Sequence, residues 1–227
     1  GLTIPLHLGS TPTALKAVLD RFDGDIHPGD MFVLNDPFEG GMHLPDIFIF
    51  KPIFIDGERL AFAATVCHHA DVGGRVPGSN ASDSTEIFQE GLRIPPIKLY
   101  DRGQRNDTLW RLIETNVRIP VQVFGDLRAQ LTAIKTGERR FLELVVRYGP
   151  DAIEQSIMAI MDNAEAAARK RTLAIPDGIY EAESFMDDDG IDIGKRIPIK
   201  VRVIVKGDAM TIDLTEISDQ VRGFYNS

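Results

Sequence analysis

The sequence predicts an α+β chain in three stretches: a hairpin-rich N-terminal region over 1–105, a helical segment over 106–174, and an antiparallel β segment over 175–227. Three observations carry this expectation. Two β-like runs, Ile47–Ile55 and Leu60–Val66, flank Asp56-Gly57, a two-residue hairpin signal. From Thr108 to Arg171, apolar residues recur at helical spacing. After Pro176-Asp177-Gly178, three strand-like segments (180–186, 197–205 and 210–214) alternate with polar turns at 187–190 and 206–208, the pattern of a meander.

Taken in order, Gly1–Pro5 begins as though inside a strand or turn and lacks an initiator methionine, and the last residues stop just after a strand-like segment. Both ends read as cuts in a longer polypeptide. Residues 1–10 form a short apolar lead-in carrying His7. Thr11 can cap a helix with Pro12 in its first position, and Ala14, Leu15, Val18, Leu19 and Phe22 give that helix one buried face. Asp23-Gly24-Asp25 ends it, and the turn His27–Asp30 leads into a short strand, Met31–Leu34.

A polar turn follows from Asn35 to Asp46, loosened by Gly40-Gly41 before His43 and stiffened by Pro37 and Pro45. Pro52 inside the next run indicates an edge or a bulge. Residues 73–96 form a long Gly-, Pro-, Ser- and Asn-rich loop, of the kind that is usually functional or mobile. Within it, 86–91 is a short turn of helix or strand, and 93–100 returns to an extended path. Four helices are then expected: one from Thr108, ended by Pro120, and others over 121–136, 141–148 and 151–171. The last is acidic at its start and basic at its end, as the helix dipole favours.

A chain of 227 residues can bury one substantial core, or one core and a small lobe. Its net charge of −9 argues against nucleic acid and against anionic membranes, both of which call for a basic surface. No apolar run approaches the roughly 20 residues of a membrane helix. Cys67, the single cysteine, excludes an internal disulfide and fits a reducing, cytoplasmic setting; it alternates with His68 and is expected to face the core.

Three of the five histidines, His43, His68 and His69, fall between Asn35 and Asp71. The spacing His-x-x-Asp occurs twice, as His43 with Asp46 and as His68 with Asp71. Imidazole with carboxylate suits zinc, manganese or iron. In the expected hairpin, residues whose numbers sum to about 113 face each other, which sets His68 opposite Pro45 and close to His43 and Asp46. His69 then points to the opposite face. Asp71 either ligates or orients a histidine from behind. Asp36, before Pro37, reads as turn chemistry. The aspartates at 187–189 lack the spacing of an EF-hand and read as a solvated turn. No Walker-type phosphate loop is present.

The blocks Asn35-Asp36-Pro37-Phe38-x-Gly40-Gly41-x-His43-x-x-Asp46, His68-His69-Ala70-Asp71-x-Gly73-Gly74, Pro77-Gly78-Ser79 and Gln89–Pro96 resemble, in order, those of the hydantoinase B/oxoprolinase family. The resemblance covers residues 3–99 closely and 106–227 more loosely. It implies the metal-bearing component of an ATP-dependent enzyme acting on a small cyclic amide, with metal ligands at His43, Asp46 and His68 and with manganese or zinc as the ion. It also implies a hydantoinase A-like ATPase partner that phosphorylates the substrate oxygen, and hence a hetero-oligomer. His69, Asp71 and Glu90 are the candidates for proton transfer or positioning, with His7 behind them. The family's upstream Arg-x-Asp-Phe-Ser-like segment has no counterpart here, and its members continue far past this length, so activity from these residues alone is not expected. The other readings are a component of an ATP-dependent ketone carboxylase and a non-catalytic assembly module whose histidines brace the hairpin.

Overall fold

The structure, a computed structural model, describes residues 5–225. The strand or turn expected at Gly1–Ile4 lies outside the described residues. Two compact units are present, one reaching Phe141 and one beginning at Leu142. The helical stretch expected as a separate segment is therefore shared between them.

In the first unit five antiparallel strands run in the order β3-β2-β1-β4-β5: β1 Met31–Leu34, β2 Asp46–Ile55, β3 Glu58–His68, β4 Ile97–Asp101 and β5 Gln104–Arg105. Alternation along the strands sorts their side chains into two cores. Phe32, Leu34, Phe48 and Phe50 face helix α1 (Pro5–Arg21) and pack on its Ala14 and Val18. Met31, Val33, Ile47 and Ile49 face the other way, toward α2 (Asp107–Asn116) and α3 (Pro120–Tyr148), where they meet Trp110, Ile113, Val123, Leu127 and Ile134. Phe48 and Phe50 are fully buried; each such side chain contributes about 1.5–3 kcal/mol relative to exposure.

Two helices differ from expectation. Helix α1 begins at Pro5 and runs through Pro12, so His7 is helical. Ser10 and Thr11 donate their hydroxyls to the His7 carbonyl, serving a backbone acceptor within this turn, and the N–H that Pro12 lacks would have met the carbonyl of the exposed Leu8. Helix α3 is one continuous element of 29 residues rather than two. A glycine costs about 1 kcal/mol relative to alanine in a helix interior, which packing of Val123, Leu127, Leu131 and Ile134 outweighs at Gly137.

The β2–β3 hairpin turns at Asp56-Gly57, both with positive φ (50° and 87°), as a two-residue primed turn requires. Next to the turn the register is the expected one, with Ile55 opposite Glu58 and Phe54 opposite Arg59. Then Ile53 pairs with Ala61, leaving Leu60 as an extra residue. This bulge moves every later pair by one position, so His68 lies opposite Asp46 and not Pro45. The consequence is large, because a one-residue slip exchanges the faces of a strand. With the bulge, Asp46 and His68 share the α1 face. Pro52 is tolerated because β1 pairs with β2 only at Phe48, Ile49 and Phe50, so β2 is an edge beyond them.

The second unit contains α4 (Pro150–Thr172) and the expected meander, β6 Gly178–Met186, β7 Ile197–Lys206 and β8 Ala209–Asp213. Its aspartate turn is not simply solvated. Asp189 is 3% exposed. Its carboxylate accepts the backbone N–H groups of Ile191, Asp192 and Gly223, fastening the segment after β8 to the β6–β7 connection. The N–H of Asp192 foremost among these donors holds its pKa down to about 2.

Candidate metal centre

Asn35 sets the shape of the loops that carry the site. Fully buried, it donates its amide to the carbonyls of Leu44 and Leu92 (2.7 and 3.0 Å) and accepts from the N–H of Ile94 (2.6 Å), tying the 36–46 turn to the 90–94 strip. Asp36 caps the short turn Pro37–Glu39 through the Phe38 N–H and pairs with Arg93, which explains its place without a ligand role. Gly41 packs directly on the chain it returns to: a Cβ there would lie 2.3 Å from the Asn35 carbonyl oxygen. That contact lets the turn fold back so that His43 and Asp46 face the hairpin end.

Asp46 is the centre of the arrangement. It is buried at the first rung of β2, with its N–H bonded to the His43 carbonyl (2.8 Å). Three imidazoles surround its carboxylate. His7 Nε2, from α1, lies 3.2 Å from Oδ1, and His43 Nδ1 lies 3.6 Å from Oδ2. His68 stands across the ladder, its ring 5.4 Å from that of His43. Burial alone would raise the Asp46 carboxyl, but His43 as partner, with the charges of His7 and His68, brings it below the usual carboxylate range. In return, the Asp46 carboxylate holds the His43 proton above the ordinary imidazole value. Asn80 and the charge of Glu90 raise it further. Burial raises the Glu90 carboxyl, against the opposing charge of His43. Glu90 and His43 thus act on each other through their charges.

His69 and Asp71, expected as catalytic groups, are placed away from this cluster. His69 points to the α3 face, fully buried, with Nε2 2.9 Å from the Gln130 Oε1. Asp71 is 2% exposed and accepts from the N–H and guanidinium of Arg118, whose other arms reach the carbonyls of Gly73 and Gly74. Each is held by its own structural partner. Cys67, opposite Ile47, is half-buried, and burial raises its thiol. Conversely, sequence reasoning placed His7 behind the other candidates because its helical setting was not legible.

The donor set fits a divalent cation. Asp46 Oδ1 is buried and accepts no hydrogen bond, an acceptor left open beside an imidazole nitrogen. Two donors about 2.1 Å from a tetrahedral ion stand about 3.4 Å apart, close to the 3.6 Å between His43 Nδ1 and Asp46 Oδ2. Among the described residues no three such groups already converge on one point, so ligation calls for small rotations of His43 and His68. Both side chains retain exposed surface that permits them.

The hydantoinase B/oxoprolinase family model matches residues 1–227. The chain belongs to this family. It is 38% identical over its whole length to the beta chain of the caprolactamase of Pseudomonas jessenii, of which it covers 39%. It is 36% identical to the B-type chain of a putative D-/L-hydantoinase from Pseudomonas sp. strain NS671, over 96% of this chain and 38% of the relative. The crystal structure of the ATP-dependent caprolactamase superposes on all of this chain with a TM-score of 0.93, covering 39% of that chain. A nucleotide-free acetone carboxylase, at 21% identity, shares the fold over 92% of this chain and 29% of its own, with a TM-score of 0.83. The chain thus spans about two-fifths of the length of these caprolactamase and hydantoinase relatives. Several of the relatives are themselves named as single subunits: beta, B and delta. Among the described residues no helix is long and apolar enough to cross a membrane.

Proposed function

We propose that this chain carries the metal centre of the B component of an ATP-dependent cyclic-amide hydrolase of hydantoinase or 5-oxoprolinase type. The observation that carries the reading is Asp46, a buried carboxylate ringed by three imidazoles with one oxygen that no donor satisfies. In this reading His43, Asp46 and His68 hold manganese, zinc or iron. A bound divalent ion supplies a fixed positive charge that acidifies nearby water and polarises a substrate oxygen. A hydantoinase A-like ATPase partner uses ATP to phosphorylate the amide oxygen, within a cytoplasmic hetero-oligomer.

The protein groups have roles that follow from their placement. A ring amide is a poor electrophile, and phosphorylation of its oxygen makes the carbon open to attack. Water adds there and gives up a proton, the carbon–nitrogen bond breaks as the nitrogen takes one up, and a second water releases phosphate from the acyl phosphate. Glu90, whose carboxyl burial keeps protonated to higher pH, is the proton donor to the leaving nitrogen. The identities of 38% and 36% to a caprolactamase and a hydantoinase chain support the hydrolytic reading.

The test is metal content by plasma mass spectrometry in the chain and its His43→Ala, Asp46→Ala and His68→Ala variants, with turnover measured alongside an A-type partner. Near-stoichiometric metal lost in all three variants, with bicarbonate-independent release of phosphate, is expected. Bicarbonate dependence would move the assignment to a ketone carboxylase. Metal and turnover unchanged in His43→Ala would leave an assembly module.

A further inference from the structure

On the face of the sheet away from the metal centre, one helix residue grips both strands that carry it. Gln130 of α3 is 5% exposed. Its Nε2 donates to the Ile47 carbonyl (2.9 Å), one residue past Asp46, and reaches Thr65 Oγ1 (3.4 Å), three residues before His68. Its Oε1 accepts from Nε2 of His69 (2.9 Å), the residue after His68. The arrangement leaves little freedom of assignment. Because the amide nitrogen faces a carbonyl, the oxygen must face His69, and His69 therefore carries its proton on Nε2.

We infer that Gln130 is the positioning residue of the metal centre, the group that locks the Asp46–His68 rung from behind. This rests on the reading of that cluster as a metal site. The rung is the last of the β2–β3 ladder, where hydrogen-bonded pairs open first. Beyond it only the bond from the His69 N–H to the Pro45 carbonyl (2.8 Å) continues the pairing. Asp46 and His68 face α1, so packing on that side cannot fix their spacing without occupying the site itself. A clamp from the opposite face can. Gln130 touches the chain just after Asp46 and on both sides of His68, so its amide sets the separation of the two strands where the ligands leave them. No other polar side chain among the described residues bonds to both strands at this end.

The experiment compares the wild-type chain with Gln130→Met, which keeps length and volume, and with His43→Ala as the loss of a ligand. Two readouts are used: cobalt(II) affinity with its visible absorption bands, and the imidazole ¹H–¹⁵N spectrum of the metal-free chain at fixed pH. Gln130→Met is expected to weaken cobalt binding about 10–100-fold, the usual effect of removing a group behind a ligand. Its cobalt bands at saturation should move, and the His43 and His68 ring signals should shift while the remote His27 stays. A purely structural role would lower stability without moving the saturated cobalt bands. Wild-type affinity and bands in Gln130→Met, with ring shifts confined to His69, overturn the inference. A wild-type chain that takes up no cobalt sinks the metal reading, and the His43 and His68 ring signals still decide the positioning. Should Gln130→Met fail to fold, Gln130→Glu keeps the shape and an acceptor for His69, loses the donor to Ile47 and Thr65, and decides the question by the same readouts.

Discussion

Asp71 offers the sharpest separation between a catalytic and a structural carboxylate. It is 2% exposed and takes two hydrogen bonds from Arg118, one from the backbone N–H and one from Nη1 (3.1 Å), while the same guanidinium holds the carbonyls of Gly73 and Gly74. Replacing Asp71 by Asn keeps volume and one acceptor, which the Arg118 N–H can use. What disappears is the charge-assisted bond to Nη1, a type worth about 1.5–3 kcal/mol. Part of this returns because the Arg118 side chain, 38% exposed, can turn to water. The expected loss is therefore about 2 kcal/mol.

With a urea m-value near 2 kcal/mol per molar, that loss lowers the midpoint by about 1 M at unchanged m. Asp71→Leu strands the Arg118 N–H and the guanidinium together and should cost about 3–5 kcal/mol. Because the two units can unfold separately, the transition is followed by Trp110 fluorescence, which reports only the first. Cobalt affinity is expected to be unchanged in Asp71→Asn. A variant with the wild-type midpoint and lost metal or activity would refute the structural assignment and return Asp71 to the site.

Gly41→Ala is expected to destabilise the first unit by about 1–3 kcal/mol and abolish metal uptake, because its Cβ would sit 2.3 Å from the Asn35 carbonyl oxygen; calorimetry with metal analysis checks both. Lys51, 8% exposed, pairs with the more accessible Glu138. Lys51→Met should therefore be near neutral in urea unfolding, whereas Glu138→Leu, which leaves a buried ammonium unpaired, should cost about 3–5 kcal/mol. For Asp189, a depressed pKa means stabilisation fully present above the ordinary carboxylate value and lost as pH falls through about 2, so amide protection at Gly223 should persist at pH 3 and vanish in Asp189→Asn. His43 has the opposite sign. Its raised pKa contributes stability to the metal-free chain that is complete below the ordinary imidazole value and lost as pH rises through the folded one, and Asp46→Asn should bring its NMR titration midpoint down.

Much of this fold was legible because β periodicity and turn chemistry agree. Asp56-Gly57 located the hairpin, and the helical spacing after Thr108 located α2 and α3. The continuous α3 was missed because Gly137 looks like a break when the core beneath it is unknown. Among the site residues, His43, Asp46 and His68 could be selected by spacing, but spacing gives no view of a bulge. Leu60 carries no local mark that it is unpaired. Whether it joins the ladder is settled by which faces of β2 and β3 find apolar cover, and that depends on α1 and α3. His7 was obscured in the same way, since only the packing of α1 on Phe48 and Phe50 brings it to Asp46.

The bulge also explains why the chemistry and its support separate so cleanly. Had the register kept its first two pairs, Asp46 would stand opposite Cys67, and His68 would point away from it. One extra residue at Leu60 instead gathers Asp46, His68, His43 and His7 on the α1 side. The same shift sends Thr65, Cys67 and His69 to the α3 side, where Gln130 can bond to the backbone and side chains there. In that setting Asp46 Oδ1 is buried and accepts no hydrogen bond. A buried carboxylate oxygen without a donor is costly in a folded protein. Here the cost is offset by His7 Nε2, 3.2 Å from that oxygen, and by His43 and His68 around the same carboxylate.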